Sequence, residues 1–89
     1  MIVSDAAYER AAKKFFRKRP DLIAKYEAVV EKLQADPHDR SLRTHPLHGA
    51  INGMLGVTIT ESSRVIITIV VKEHEVHLLA IGDHDEAYR

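Results

Sequence analysis

Hydrophobic and polar positions fall along this chain in two different periods, one in each half. From position 8 to about 18 the apolar side chains are Tyr8, Ala11, Ala12, Phe15 and Phe16, while Arg10, Lys13, Lys14 and Arg17 fall opposite them at roughly 100° per residue. This predicts an amphipathic helix with a basic outer face, and Ser4 or Asp5 stands where an N-cap is needed. Arg19-Pro20-Asp21 breaks the pattern, because proline disfavours helix in the residue before it and suits the first turn of a new one. A second stripe follows, made of Leu22, Ile23, Tyr26, Val29, Val30 and Leu33, with Lys25, Glu27, Glu31 and Lys32 outside it, ending near Ala35. The second half is rich in β-branched residues. The apolar run 64–71, the polar connector 72–75 and the apolar run from Val76 to a stop at Gly82 predict a β-hairpin. Residues 1–3 suit a short first strand, 54–60 a strand weakened by Gly53 and Gly56, and 61–63 a turn.

The order is β-α-α-β-β-β. It predicts one α+β domain over residues 1–89, an antiparallel sheet with a helical hairpin packed on one face. Between helix and sheet, residues 36–50 carry two prolines, three histidines and a glycine with little periodicity, so they read as a long loop of the kind that is often functional.

Composition adds compartment and partner expectations. Hydrophobic residues are 45% and charged residues 29%, the balance of a folded soluble protein. The absence of cysteine excludes disulfides and thiolate metal sites and fits a reducing cytoplasm. The longest apolar run is too short to span a bilayer, and the N-terminus lacks the basic-then-apolar order of a signal peptide. Net charge is zero, yet Arg10, Lys13, Lys14, Arg17, Lys18 and Arg19 form a basic cluster without an acid among them. A phosphate backbone responds to the local field, so zero net charge does not exclude RNA; the alternative is a solvated helix face.

The candidate chemistry is imidazole chemistry. Of the six histidines, His38 and His74 sit in turns and read as solvated. His77 lies in the last strand and by alternation shares a face with Leu79 and Ile81, which makes it structural. His45 and His48 flank Pro46-Leu47 in the long loop, and His84 follows the last strand. Two histidines meeting over a substrate can serve as general base and general acid, because imidazole titrates near neutrality. His45, His48, Asp83 and His84 are also a conceivable zinc set, though their spacing matches no metal motif. Neither a phosphate loop nor a nucleophile elbow is present.

The motifs LRTHPLHG (42–49), Arg64 opening an apolar strand, and LAIGDHDEAY (79–88) together resemble the RelE/YafQ-type toxins of bacterial type II toxin–antitoxin modules, in the right order over nearly the whole chain. The resemblance implies a cytoplasmic endoribonuclease that cuts mRNA on the ribosome without a cofactor and is silenced by a cognate antitoxin. By position it implies that His45, His84, Arg64 and Tyr88 are catalytic; Arg43 and, from the basic helix face, Lys13, Lys14 and Arg17 are expected to bind RNA, although that face could instead meet the antitoxin. Metal-free RNA cleavage needs a base for the 2′-hydroxyl, an acid for the leaving 5′-oxygen and a cation for the phosphorane charge. Tyr88 would stack on a base or donate a hydrogen bond. Pro46-Leu47 would anchor the loop, and Gly82 would let the chain turn away from the strand. Gly56, Val57 and Thr58 stand where YafQ-like members often carry an aspartate and a histidine. Two other readings therefore stay open, a ParE-like toxin that binds DNA gyrase and a catalytically silent family member.

Overall fold

The computed structural model describes residues 1–46 and 53–83. Strand β1 (Ile2–Ser4) leads into helix α1 (Ala6–Lys18), a 3₁₀ turn at Pro20–Leu22 and helix α2 (Ile23–Ala35). A second 3₁₀ turn (Arg40–Leu42) precedes the two-residue strand β2 (His45–Pro46). Strands β3 (Met54–Thr58), β4 (Ser63–Val70) and β5 (Glu75–Asp83) complete the order, with a 3₁₀ turn (Val71–Glu73) between the last two.

Helix α1 starts where the sequence predicts. The Asp5 carboxylate accepts from the Tyr8 amide at 2.7 Å, satisfying one of the unpaired amides of the first turn. Glu9 near its start and Arg17 and Lys18 near its end complement the helix dipole. Arg19 closes it by donating its amide to the Phe15 carbonyl at 3.0 Å, and Pro20 prevents continuation.

Among the described residues the sheet order is β1-β5-β4-β3-β2. The β3-β4-β5 meander and β2 are antiparallel, while β1 runs parallel to β5, so the expected antiparallel sheet is mixed at one edge. The parallel edge follows from topology: the helix pair is the crossover that carries the chain from β1 back to the other strands. Strand β2 was not legible as a strand within the 36–50 loop, since two residues have no periodicity of their own.

Alternation divides the sheet into two faces. On the first, Val57, Val65, Ile67, Val76 and Leu78 pack with Tyr8 and Ala12 of α1, Leu33 of α2 and Leu42 of the second 3₁₀ turn. Val57, Val65 and Ile67 are 0% exposed, and burying each such side chain contributes about 1.5–3 kcal/mol. The opposite face carries His45, Gly56, Arg64, Ile66, Thr68 and His77, as the register requires.

One irregularity changes which residues share a face. Ile66 pairs with Ala80 but Ile67 pairs with Leu78, so Leu79 is an extra residue in β5, bulged out and 39% exposed. His77 therefore lies on the second face and Ile81 on the first, which corrects the expectation that they share one. Three boundaries also move: β3 ends at Thr58 rather than 60, Ser63 opens β4 as a fully buried residue rather than closing a turn, and β5 runs through a buried Gly82 to Asp83. Gly82 is thus a strand residue and not the place where the chain turns away. No described helix is long and apolar enough to cross a membrane.

Candidate active site

The site is built from a short segment placed by three neighbours. Asp39 caps the second 3₁₀ turn, its carboxylate accepting from the Ser41 amide at 2.8 Å and the Ser41 hydroxyl at 2.7 Å. Those two bonds hold the Asp39 carboxyl below its ordinary range. Leu42, 1% exposed, fastens the turn to the core. Arg43 then reverses the chain with φ of 52°, a left-handed conformation costing a non-glycine residue roughly 1–2 kcal/mol. That reversal delivers His45 to the edge of β3, where it pairs with Gly56 while Pro46 pairs with Leu55.

On the second face His45 meets Arg64. The guanidinium Nη1 lies 2.9 Å from His45 Nε2, and His45 Nδ1 lies 3.3 Å from the Arg43 carbonyl oxygen. A guanidinium only donates, so Nε2 is the acceptor; Nδ1 then carries the proton and donates to the Arg43 carbonyl. The strained residue thus fixes the tautomer of the histidine two positions later. His45 and Arg64 are both half-buried. Gly56 stands opposite His45, and Gly82 stands opposite Arg64 across the β4–β5 pair. Neither glycine puts a side chain on this face, and both are buried.

The other expected residues are placed as follows. Arg43 is exposed, two residues from His45. Lys13, Lys14 and Arg17 are exposed on α1, which packs on the first face, so the fold does not bring them to His45. Lys14 instead lines a hollow of about 470 Å³ with Phe15, Ile81 and Asp83. The Asp83 carboxylate accepts from the Ser63 hydroxyl at 3.2 Å, which ties the end of β5 beside Arg64. His48, His84, Tyr88 and the Leu47 anchor lie outside the described residues. Among the described residues no group of three or more His, Cys, Asp or Glu side chains is arranged to hold a metal.

Sequence reasoning missed one contributor, the Arg43 carbonyl, which no residue type signals. His77 also lies on this face, nearer the hairpin end, its Nε2 3.0 Å from the Glu75 carboxylate. Only the Leu79 bulge puts it there, and alternation alone pointed the other way.

No family model matches this chain, and no curated protein matches it in sequence. Solved structures do match. YafQ from E. coli superposes with a TM-score of 0.81 at 14% identity, covering 100% of this chain and 98% of that one. The chain has the fold of that toxin. The E. coli DinJ-YafQ toxin-antitoxin complex gives 0.80 at 18% identity, covering 100% and 97%. A YoeB/ParE toxin from Agrobacterium tumefaciens gives 0.75 at 15% identity, covering 93% and 97%. The β-α-α-β-β-β order read from the sequence is observed with one added strand, the two-residue β2.

Proposed function

We propose that this protein is the toxin of a type II toxin–antitoxin module, an endoribonuclease that cleaves mRNA on the ribosome and is held inactive by a cognate antitoxin. The observation that carries the reading is the His45–Arg64 contact on the sheet face away from the helices. A cation held 2.9 Å from an unprotonated imidazole nitrogen suits cleavage of a phosphodiester. A bound phosphate competes for the guanidinium, and as Arg64 turns to it the Nε2 lone pair is released. His45 then removes the 2′-hydroxyl proton, the 2′-oxygen attacks phosphorus, and the bond to the 5′-oxygen breaks. Arg64 neutralises the charge gathered on the phosphorane oxygens. His84 is assigned the acid that protonates the leaving 5′-oxygen, and Tyr88 a stacking or hydrogen-bonding role, both from the motif 79–88. The products are a 2′,3′-cyclic phosphate and a 5′-hydroxyl. Arg43 lies beside the site, and the α1 cations are assigned to ribosomal RNA. A toxin–antitoxin complex among the proteins of like fold supports the antitoxin.

Programmed ribosomes with an end-labelled mRNA test this directly. His45→Ala should slow single-turnover cleavage by about 10²–10⁴-fold with an unchanged circular dichroism spectrum. A His45→Ala/His84→Ala double variant that cleaves at the parent rate would overturn the assignment.

A further inference from the structure

The first face of the sheet is not covered evenly. Beside α2, towards the β1 edge, an open groove of about 600 Å³ remains. Its apolar lining is Ile2 of β1, Leu78 of β5, and Tyr26 and Val30 of α2. Its lips are acidic. Glu27 and Glu31 follow each other one turn apart along α2, and Glu9 stands at the start of α1, its carboxylate hydrogen-bonded to the Ser4 hydroxyl. The α2 side of the groove extends from Tyr26 to Ala35. At 1.5 Å per residue this wall is about 14 Å long, two to three helical turns.

We infer that this groove receives an amphipathic basic helix from a partner protein. The shape and charge favour a helix over other occupants. The wall is itself a helix ridge, with Tyr26, Val30 and Gln34 at i, i+4 and i+8, into which the side-chain rows of a second helix interdigitate. An apolar stripe on the partner covers Ile2, Tyr26, Val30 and Leu78, and Lys or Arg side chains flanking it at one-turn spacing meet Glu27 and Glu31 along α2 and Glu9 at the start of α1. An acidic segment is repelled by these three carboxylates. The inference goes beyond the nuclease reading and does not depend on it. The groove and the His45–Arg64 pair lie on opposite faces of the sheet, so a helix seated there leaves that pair uncovered.

The test uses the intact protein and a fluorescein-labelled, acetylated peptide of about 14 residues, built of Leu and Lys in helical register, beside its Leu/Glu counterpart. Fluorescence anisotropy should show saturable binding of the Leu/Lys peptide and none of the Leu/Glu peptide. Glu27→Lys/Glu31→Lys should weaken that binding by about tenfold or more. Glu61→Lys/Glu73→Lys makes the same change in net charge at exposed positions away from the groove, and should leave binding within about twofold. Amide chemical-shift changes should centre on Ile2, Val30 and Leu78. Equal weakening by the two charge reversals, equal binding of the two peptides, shifts centred elsewhere, or a peptide that binds in extended form would each overturn the proposal.

Discussion

Tyr8 is the side chain on which the helices and the sheet converge. It is 2% exposed, belongs to the core that contains Val65 and Leu78, and its hydroxyl lies 2.7 Å from that of Tyr26 on α2. Phe16 packs at 4.8 Å, centroid to centroid, against the Tyr26 ring, so the helix pair is joined by an aromatic contact and a hydroxyl bridge together. Burial, and then the hydrogen bond to Tyr26, pushes the Tyr8 hydroxyl well above its ordinary value; burial also raises Tyr26, against the opposing effect of its bond to Tyr8. The consequence is an alkaline instability. Above about pH 10 the tyrosines of the unfolded chain lose their protons while these two keep theirs. The folded state then binds more protons than the unfolded one, so stability is full below that pH and falls as pH rises past it. The slope reaches about 1.4 kcal/mol per pH unit for each tyrosine concerned. Urea midpoints measured at pH 8, 10 and 11 should fall in that order. Tyr8→Phe should cost about 1 kcal/mol at pH 8 through the lost hydrogen bond, and should make the fall above pH 10 shallower.

At the scale of elements, α1 depends on its first turn. The Asp5 carboxylate caps the Tyr8 amide, and the same turn delivers Tyr8 to the core. Asp5→Ala should therefore cost about 1 kcal/mol, seen as a fall of roughly 4–8 °C in Tm for a domain of this size, while His45 and Arg64 on the far face stay in place. Both helices were legible in the sequence to within a residue or two, because a 3.6-residue period, a cap and a proline are local signals. The strand features that were missed are non-local. Strand β2 exists only through its pairing with β3, and the Leu79 bulge exists only in the register of β4 against β5. The candidate site divides in the same way. His45 and Arg64 were named from motifs, but their 2.9 Å contact requires β2, β3 and β4 to lie side by side, 19 residues apart in sequence. The fixed tautomer of His45 requires in addition the left-handed turn at Arg43, which basic side chains do not announce.

At the scale of the whole molecule, the sheet separates charge from chemistry. His45 and Arg64 occupy one face, whereas Lys13 and Arg17 project from α1 on the other, one helical turn apart and exposed. On the proposed function these two sets act at different steps: the α1 cations act on encounter with ribosomal RNA, and the pair acts on the bond that breaks. Exposed cations raise association through the local field, an effect that weakens with salt, and touch no reacting atom. Lys13→Glu/Arg17→Glu should therefore leave folding stability within about 0.5 kcal/mol of the parent, since neither side chain is buried. It should raise KM for programmed ribosomes and flatten the dependence of kcat/KM on salt, with kcat unchanged. His45→Ala should do the converse, lowering kcat while the salt dependence stays as in the parent. Steady-state cleavage at 50, 100 and 200 mM salt separates the two variants. A charge reversal on α1 that lowers kcat and leaves KM untouched would place α1 against the reacting strand, contrary to the two-faced arrangement.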